Sequence, residues 1–423
     1  MTRFKQAVYL APGLRTPFGR GGGALAAYDA LSLSVPVVRA MAEQVAGRKP
    51  DLFLWGSVIP NLGWSNLARE IWMDAKLDAA VPAYSVVLAC GTSMTAAFSA
   101  AGTIGPGVDV VMVGGSEVMS RPSLGLTSQA NDRLLGLFST DPAQAVAALG
   151  SLRATDFNLP TKGWANRITG RTMGDHMEET AKQWGISRQA QDEWSYRSHQ
   201  KAIAGWESGF FGDLVIALPE LARDANPRAD TSLEKLAALK PAFDKSGLGT
   251  LTAGNSSPIT DGAAGLWVMS DQGRRRLPAN LPTVRLLDYE IAAVDFHKEG
   301  LLMAPSYAIP RLLDRHGLSF EDIALWEIHE AFSAQVLANV AALERPGWIA
   351  EKTHVTRDFG RFPWERVNPN GGSVAIGHPF GATGARDLSQ AAKELAAMPR
   401  PSKAIVSVCA DGGQGVVALL ENG

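Results

Sequence analysis

Short apolar runs alternate with longer alanine-rich stretches, and this alternation occurs in two separate parts of the chain. In the first part we predict buried strands at residues 7–10, 52–54, 85–88 and 108–113, with helices at 31–45 and 93–101. After about residue 264 the alternation returns, with strands predicted at 265–269, 283–289, 404–409 and 416–420 and helices at 306–316 and 331–343. This pattern favours an α/β fold with a mainly parallel sheet covered by helices.

The segment from about residue 120 to 252 differs from both parts in composition. It is richer in charged residues and tryptophan, and its one long predicted helix, residues 177–207, is interrupted at Gly185. We interpret it as a lid or loop domain inserted between two related α/β halves. Residues 85–97 loosely parallel residues 372–385, because each combines an apolar run, a turn with a reactive side chain and a small-residue helix. Duplication of the halves is therefore a hypothesis.

Length and charge exclude several classes of protein. The chain has 423 residues and a net charge of −2, which allows two or three core-forming units but gives no overall attraction to nucleic acid or to an anionic membrane. No signal-peptide core follows the N-terminus, and no run of about 18 apolar residues predicts a transmembrane helix. The expected location is the cytoplasm. Two cysteines cannot form a disulfide framework.

Each cysteine ends an apolar run and begins a run of small residues. Cys90 precedes Gly91-Thr-Ser, and Cys409 precedes Ala410-Asp-Gly-Gly. A thiol at the end of a strand lies where backbone N–H groups converge, which stabilises the thiolate and lets it attack a carbonyl carbon. The alternative is that each cysteine is a small buried hydrophobic residue. Two similar settings favour sulfur chemistry, and thioester exchange is the first reaction to consider.

Two of the seven histidines lie in turns that suit catalysis. His378, in Gly377-His378-Pro379, is predicted where a strand passes into a helix, an edge at which open α/β folds bind ligands. Its ordinary pKa suits proton transfer near neutrality. His329 lies in a second predicted strand-to-helix transition and could donate to a carbonyl oxygen, with Glu330 supporting the backbone. The alternative for both is a structural histidine, and most of the other five are expected at the surface.

The remaining polar motifs are less specific. Ser257 lies in a polar turn, residues 252–265, that either binds an amide-rich arm of a ligand or is a plain loop. No His-Glu-x-x-His motif or carboxylate cluster predicts a metal site. The glycines match neither a Walker A nor a dinucleotide-binding pattern, which argues against a kinase, an NTPase or a dehydrogenase.

Together these motifs resemble those of the thiolase family, and the resemblance covers nearly the whole chain. Two segments match the family's catalytic motifs besides the one at Cys90: Gly377-His378-Pro379 and Cys409-Ala-Asp-Gly-Gly-Gln-Gly415. Other segments look like its N-terminal signature, the start of its loop-domain helix and its CoA-binding loop, namely Arg15-Thr-Pro-Phe-Gly19, Met173-Gly174, Lys240-Pro-Ala-Phe243 and residues 252–262.

The resemblance implies a thiolase fold, in which two duplicated βαβαβαββ halves stack as a five-layer α-β-α-β-α sandwich with an inserted loop domain. Residues 1–119 then begin the N-terminal half, 120–252 form the loop domain over CoA and the acyl chain, 253–275 return to the N-terminal half, and 276–423 form the C-terminal half. The family implies a homodimer or homotetramer, and a hydratase/dehydrogenase partner subunit is a further candidate.

The resemblance also implies catalytic roles. Cys90 is implied as the acylated nucleophile, His378 as the base, and Cys409 as the acid and base at the acetyl-CoA enolate. His329 with a water would bind the thioester oxygen, and the backbone N–H groups of Cys90 and Asp411 would bind the acyl oxygen.

Coenzyme A enters as a co-substrate. Met173 and Ser257 are implied to contact it, and neither a covalently bound cofactor nor a metal is expected. The segment 120–171 is expected to shape the acyl tunnel. Candidates for contact with the CoA phosphates are the basic residues of that region, among them Arg153, Lys162, Arg167 and Arg171.

Two departures from the usual family pattern bear on function. His329 stands where many thiolases have asparagine, as in the thiolase subunits of fatty-acid oxidation complexes, which favours longer acyl chains. Asp411 stands where glycine or alanine is usual. Its negative charge would oppose an oxyanion unless the side chain points away.

We therefore expect thiolytic cleavage of 3-ketoacyl-CoA by CoA, as in fatty-acid β-oxidation, which makes the chain an acyltransferase. One alternative is a biosynthetic acetyl-CoA acetyltransferase that forms acetoacetyl-CoA. A second is a non-catalytic acyl-CoA-binding protein of the same fold, whose signature would be loss of a catalytic residue. A ketoacyl synthase shares the fold, but Cys409 argues against it.

Overall fold

The computed structural model describes residues 4–158 and 165–423. The strands are β1 Val8–Arg15, β2 Gly19–Arg20, β3 Leu52–Gly56, β4 Ala83–Ser85, β5 Val110–Val118, β6 Gly125–Leu126, β7 Phe157–Asn158, β8 Thr260–Met269, β9 Val284–Ala293, β10 Leu325–Ile328, β11 Ser402–Ala410 and β12 Gln414–Asn422. The helices are α1 Ala30–Gln44, α2 Leu67–Asp74, α3 Thr92–Thr103, α4 Ser128–Thr140, α5 Pro142–Leu149, α6 Met173–Trp184, α7 Arg188–Glu207, α8 Leu233–Ala237, α9 Asp271–Arg276, α10 Phe296–Glu299, α11 Pro305–His316, α12 Ser333–Leu343, α13 Pro346–Thr353, α14 Ser373–Ile376 and α15 Thr383–Ala396.

The strand order shows that the two halves have the same topology. In the first half, neighbouring strands lie in the order β4-β3-β5-β8-β1. Numbered by their order along the chain, and leaving out the two-residue strands, these are strands 3, 2, 4, 5 and 1 of that half. In the second half the order is β10-β11-β12-β9, and a parallel bridge from Trp326 to Val367 supplies the missing third position beside β10. The hypothesis of duplicated halves is confirmed.

The expectation of a mainly parallel sheet is wrong. Parallel pairing occurs in β3–β4, β3–β5 and β10–β11, whereas β1–β8, β5–β8, β11–β12, β9–β12 and the joining pair β1–β9 are antiparallel. The physical reason is that helical crossovers connect only the early strands of each half. The last two strands of the second half are joined by a three-residue turn, residues 411–413, which forces them to run in opposite directions.

Alternating side chains of the strands fill three separate cores, which produces the five layers. Val111 and Val113 of β5 face a central core, whereas Val110 and Met112 face an outer core beneath α1 and α2. In the second half, alternate side chains of β12 face the central core and a third core beneath α11 and α12. Helices α3 and α15 lie in the central layer between the two sheets. The predicted thiolase fold is confirmed.

Two short apolar runs have a different structure from the one predicted. The run at residues 85–88 is not a strand, because β4 ends at Ser85 and the chain then turns through Ala89, whose φ is +40°. The run before His378 forms the single helical turn α14. Runs of three or four apolar residues fit a buried strand or a buried helical turn equally well, so periodicity cannot separate them.

The segment between the halves contains α4 to α8. As predicted, the long helical stretch is interrupted at Gly185, which ends α6 with a left-handed φ of +67°. Helix α6 begins at Met173, where Thr172 and Asp175 form a reciprocal capping box. The division at residues 120, 253 and 276 stays a prediction. None of the helices in the described ranges is both long enough and apolar enough to cross a membrane.

Candidate active site

The two helices of the central layer bring Cys90 and His378 together. Helix α3 begins two residues after Cys90, and α15 begins five residues after His378. The helices meet at Gly384, where a Cβ atom would lie only 2.7 Å from the backbone nitrogen of Met94. A larger residue would push the helices apart, so this contact sets the distance between the loops that carry Cys90 and His378.

The His378 ring is oriented as a base toward the Cys90 thiol. Its Nε2 lies 3.2 Å from Cys90 Sγ, and its Nδ1 lies 2.6 Å from Thr383 Oγ1. The Thr383 hydroxyl donates to the Pro379 carbonyl oxygen at 3.0 Å, so it must accept from His378 Nδ1. The ring proton is therefore on Nδ1, and the lone pair on Nε2 faces the thiol.

Both partners of this pair are neutral before substrate arrives. Burial raises the pKa of the Cys90 thiol to about 12, and the charge of Asp411 acts in the same direction, whereas the N–H groups of Asp411 and Cys90 itself favour the thiolate. Burial and the positive charge of Arg386 lower the pKa of His378 to about 3. These shifts favour a neutral thiol beside a neutral imidazole over a thiolate–imidazolium pair at neutral pH.

His329 lies beside His378, with the ring centroids 4.1 Å apart. It directly follows β10, so the predicted strand-to-helix transition is confirmed. Burial lowers the pKa of His329 well below its usual value, which keeps the ring neutral, and a proton on His378 would act in the same direction. Among the described residues its Nε2 has no hydrogen-bond partner. A buried polar atom without a partner fits a site that receives a ligand oxygen.

Cys409 is the second-last residue of β11 and is 1% exposed. It packs in an apolar cluster with Met177 and Phe332, and Met173 packs against the same cluster. Burial raises the pKa of Cys409 well above its usual value, and the negative charge of Cys90 acts in the same direction. Cys409 is therefore protonated at neutral pH.

Two hydrogen-bond donors hold the Asp411 side chain, and its charge acts on the Cys90 thiol. Its Oδ1 accepts from Asn166 Nδ2 at 2.8 Å and from the Gly412 N–H at 2.7 Å. Its backbone N–H stabilises the Cys90 thiolate, while its carboxylate opposes that thiolate. Asp411 therefore keeps the donor that the predicted oxyanion hole needs, and its charge makes Cys90 less acidic.

Replacement of Asp411 by Asn is expected to make the Cys90 thiol more acidic. The change removes the negative charge and keeps an oxygen for Asn166 and Gly412. We expect alkylation of Cys90 by iodoacetamide to be roughly tenfold faster at neutral pH, the factor for one pKa unit, and its midpoint to move to lower pH. Peptide mass spectrometry measures the rate. Asp132→Asn on an exposed face of α4 is the control, and an unchanged midpoint in Asp411→Asn would contradict the account.

Two buried glutamates hold the loops of the site in place. Glu330 accepts from the side chains of Trp194, Ser198 and Asn368 and from the Val374 N–H, so its predicted supporting role is confirmed.

The second glutamate is Glu117, whose structural role the sequence motifs do not indicate. It is the second-last residue of β5 and accepts from the N–H groups of Val58, Ile59 and Gly381, which links the first half to the segment after His378. Burial raises the pKa of Glu117. Its signal in the sequence is one acidic residue at the end of an apolar strand.

A cavity of about 200 Å³ opens beside these loops. Val374, three residues before the catalytic turn of His378 begins at Gly377, lines one wall, and Ser256 and Pro258 line another. Ser257 lies between the latter two, and its N–H donates to the Ala331 carbonyl oxygen at 3.0 Å. The remaining wall carries three basic residues, Arg20, Arg228 and Lys235, and the acidic Asp230, which pairs with Lys235 at 3.1 Å.

The basic residues proposed from the sequence do not line this cavity. Arg171 instead pairs with Glu179 at 2.8 Å, Arg153 and Arg167 are exposed, and Lys162 lies outside the described residues. Most of the five other histidines were expected at the surface, but His176 and His199 are buried. His199 is 5% exposed, lines the cavity and accepts from the Arg228 N–H. The sequence motifs do not indicate Arg228 and Lys235, because Arg228 lies in an irregular segment after α7 and Lys235 in the short helix α8.

Comparison with protein families identifies the chain. A model described as the N-terminal domain of thiolase matches residues 8–272, and one described as the C-terminal domain of thiolase matches residues 281–422. The chain belongs to the thiolase family. The predicted resemblance is thereby confirmed over almost its whole length.

Individual thiolases agree with this assignment. A 3-ketoacyl-CoA thiolase of Photobacterium profundum is 36% identical, over 99% of this chain and 98% of the relative. The crystal structure of the Bacillus anthracis acetyl-CoA acetyltransferase is 32% identical, with a TM-score of 0.81 over 98% of both chains. A thiolase of Ascaris suum in complex with coenzyme A is 27% identical, with a TM-score of 0.78 over 99% of this chain and 100% of the other.

Proposed function

We propose that this thiolase cleaves 3-ketoacyl-CoA with a second molecule of CoA, which yields acetyl-CoA and a shortened acyl-CoA. The contact of 3.2 Å between Cys90 Sγ and the unprotonated Nε2 of His378 carries the proposal. Cys409 supplies a separate thiol beside this pair. A nucleophile, its base and a second proton donor are what a reversible Claisen cleavage needs. The Photobacterium profundum relative, whose name states this activity, supports the same reaction.

In the first half of the reaction Cys90 becomes acylated. Its thiol transfers the proton to His378 Nε2 while the sulfur attacks the 3-keto carbon, and the resulting oxyanion lies at the backbone N–H groups of Cys90 and Asp411. The bond between the second and third carbon atoms then breaks. Its electron pair forms the enolate of acetyl-CoA, whose oxygen is bound by His329 and a water, and Cys409 protonates the carbon.

In the second half the acyl group moves to CoA. The proton that His378 took from Cys90 passes to the Cys409 thiolate, which restores the neutral imidazole. His378 then takes the proton of the incoming CoA thiol, and the CoA sulfur attacks the acyl carbon on Cys90. The released Cys90 thiolate takes back the proton from His378, so the protein ends in its starting state.

The cavity with the basic wall is the proposed site for coenzyme A, the co-substrate. Arg228 and Lys235 offer positive charge to its phosphates. Ser257 and Met173 are proposed to contact its amide-rich arm, since Ser257 adjoins the cavity and Met173 packs against the cluster that contains Cys409. The family member from Ascaris suum, which was solved with coenzyme A, supports a CoA site in this fold.

Replacement of Arg228 by Ala is expected to weaken CoA binding. The loss of one charge-assisted contact to a phosphate costs about 1.5–3 kcal/mol, which raises KM for CoA by at least about tenfold and leaves kcat within about twofold. Steady-state kinetics with varied CoA measure the effect. Arg153→Ala is the matched control, because Arg153 is an exposed arginine outside the cavity. An equal increase in KM for both variants would contradict the placement of CoA.

CoA-dependent loss of absorbance of the Mg²⁺–enolate of 3-ketoacyl-CoA tests the proposed function. Acetoacetyl-CoA and 3-ketodecanoyl-CoA are compared in parallel, and we expect faster cleavage of 3-ketodecanoyl-CoA, because His329 replaces the usual asparagine. Activity confined to acetoacetyl-CoA would favour the biosynthetic acetyltransferase, which the Bacillus anthracis neighbour supports. No activity on either substrate would favour a binding protein.

Assembly into a homodimer or homotetramer also belongs to the proposal. Within residues 4–158 and 165–423, strand β4 pairs only with β3 and forms an edge of the sheet. Tyr84 on this strand is 40% exposed, and Val87 just after it is 62% exposed. An edge strand with exposed apolar side chains is suited to pairing with a second copy of the chain. A hydratase/dehydrogenase partner subunit stays a prediction.

A further inference from the structure

Three possible donor atoms surround the reacting centre. The sulfur of Cys90 and one ring nitrogen each of His329 and His378 lie within 4.8 Å of one another. One thiolate and two imidazoles are also a donor set that zinc prefers. Whether His329 offers a proton or a lone pair to this centre depends on which of its ring nitrogens is protonated.

The Ser373 hydroxyl decides where the proton of His329 lies. Its oxygen is 2.9 Å from His329 Nδ1 and 2.9 Å from Arg386 Nη2. A guanidinium can only donate, so the Ser373 oxygen accepts from Arg386. Ser373 is fully buried, and in the described part of the chain its own O–H has no other acceptor than His329 Nδ1. That nitrogen must therefore be unprotonated, which leaves the proton on Nε2.

Arg386 is held firmly enough to impose this direction. It lies on α15, and its Nη2 is 2.6 Å from Asp387 Oδ1, with both side chains 2% exposed. Its positive charge lowers the pKa of both His329 and His378 in addition to the effect of burial. A protonated His329, which would need to donate from Nδ1 as well, is therefore disfavoured.

We propose that Arg386 and Ser373 are positioning residues that hold His329 as the Nε2–H tautomer, opposite to the tautomer that Thr383 imposes on His378. The proposal rests on the proposed thiolysis, because it assigns the Nε2–H of His329 to an oxygen of the substrate. Two adjacent histidines then perform separate tasks. His378 accepts the proton of the Cys90 thiol, and His329 donates a hydrogen bond.

With the proton on Nε2 of His329, the three donor atoms form an incomplete zinc-binding set. A ring nitrogen binds a metal through its lone pair, which His329 Nε2 lacks in this tautomer. Binding through Nε2 would require the proton to move to Nδ1, and the Ser373 hydroxyl would then lose its acceptor inside the protein.

Nitrogen-15 NMR of the histidine rings in the substrate-free protein tests the proposal directly. We expect His329 to show a protonated Nε2 and an unprotonated Nδ1, and His378 to show the reverse, with His329→Asn used to assign the signals. A protonated Nδ1 in His329 would overturn the proposal whether or not the protein cleaves 3-ketoacyl-CoA. The expected tautomers in a protein without thiolase activity would overturn the proposed function instead.

Variants of Ser373 test the consequence for catalysis. Ser373→Ala is expected to let the two tautomers of His329 interchange and to lower kcat about tenfold, less than the 10²–10³-fold loss when an oxyanion donor is removed, with KM unchanged. Ser373→Thr restores the hydroxyl and should recover kcat. The control is Ser407→Ala, which removes a buried hydroxyl that has no partner among the described residues. A Ser373→Ala variant with the kcat of the unaltered enzyme would overturn the proposal.

Discussion

Cys90→Ala is expected to lower kcat/KM for 3-ketoacyl-CoA cleavage by roughly 10⁴-fold or more, the scale that follows removal of a covalent nucleophile. The sulfur of Cys90 is the atom next to the unprotonated Nε2 of His378, at 3.2 Å. The thiol of Cys409 cannot replace it, because Cys409 is buried in an apolar cluster. In the described part of the chain, the histidine Nε2 contact is made by Cys90. The rate of loss of 3-ketodecanoyl-CoA measures the effect.

Binding of CoA separates this result from misfolding. The cavity with Arg228 and Lys235 does not include Cys90, so Cys90→Ala should bind CoA with an affinity within about twofold of the unaltered protein. Cys90→Ser is a second comparison, since it keeps a smaller and much less acidic nucleophile. Thiolysis by Cys90→Ala within tenfold of the normal rate would exclude the proposed covalent route.

Cys409→Ala is expected to separate the two halves of the reaction. Without its thiol the acetyl-CoA enolate lacks its proton donor, so cleavage of the carbon–carbon bond should fall by about 10²–10⁴-fold, the usual contribution of a general acid. Exchange of an acyl group between octanoyl-CoA and labelled CoA needs only Cys90 and His378. We therefore expect this exchange to continue at a rate within a few-fold of normal.

Both rates are measured on the same preparation of Cys409→Ala. Cys90→Ala is the control, because it should lose exchange as well as cleavage. Equal losses of exchange and cleavage in Cys409→Ala would contradict a role confined to the enolate. The test is specific because the substitution removes the protonated thiol of Cys409 and does not alter the side chains of Cys90 and His378, which remain in contact.

The sequence predicts most of the catalytic centre because each reactive residue lies at a turn that its neighbours make recognisable. Cys409 precedes a glycine-rich turn that joins two apolar strands, and His329 follows a strand directly, as the structure shows. The apolar run before His378 was expected to be a strand and is the helical turn α14. The error does not move the histidine out of the site, because the small residues after it still form a buried helix.

Residues that act through long-range contacts could not be predicted in the same way. Glu117 and Gly381 are 264 positions apart and meet only because both halves share one central layer. Arg228 contributes to the cavity from an irregular segment without periodicity. The sheet is also less parallel than the sequence predicts. Strands β5 and β8, which precede and follow the segment of residues 120–252, pair antiparallel. Periodicity reports local structure and the buried face, whereas these features depend on which distant segments pack together.

The most direct measurement of the central claim is the intact mass of the protein after mixing with 3-ketodecanoyl-CoA in the absence of free CoA. The account predicts that one octanoyl group is added, that peptide mapping places it on Cys90, and that added CoA removes it as octanoyl-CoA. An adduct on Cys409, or turnover of the substrate through a protein that never carries an acyl group, would contradict the account.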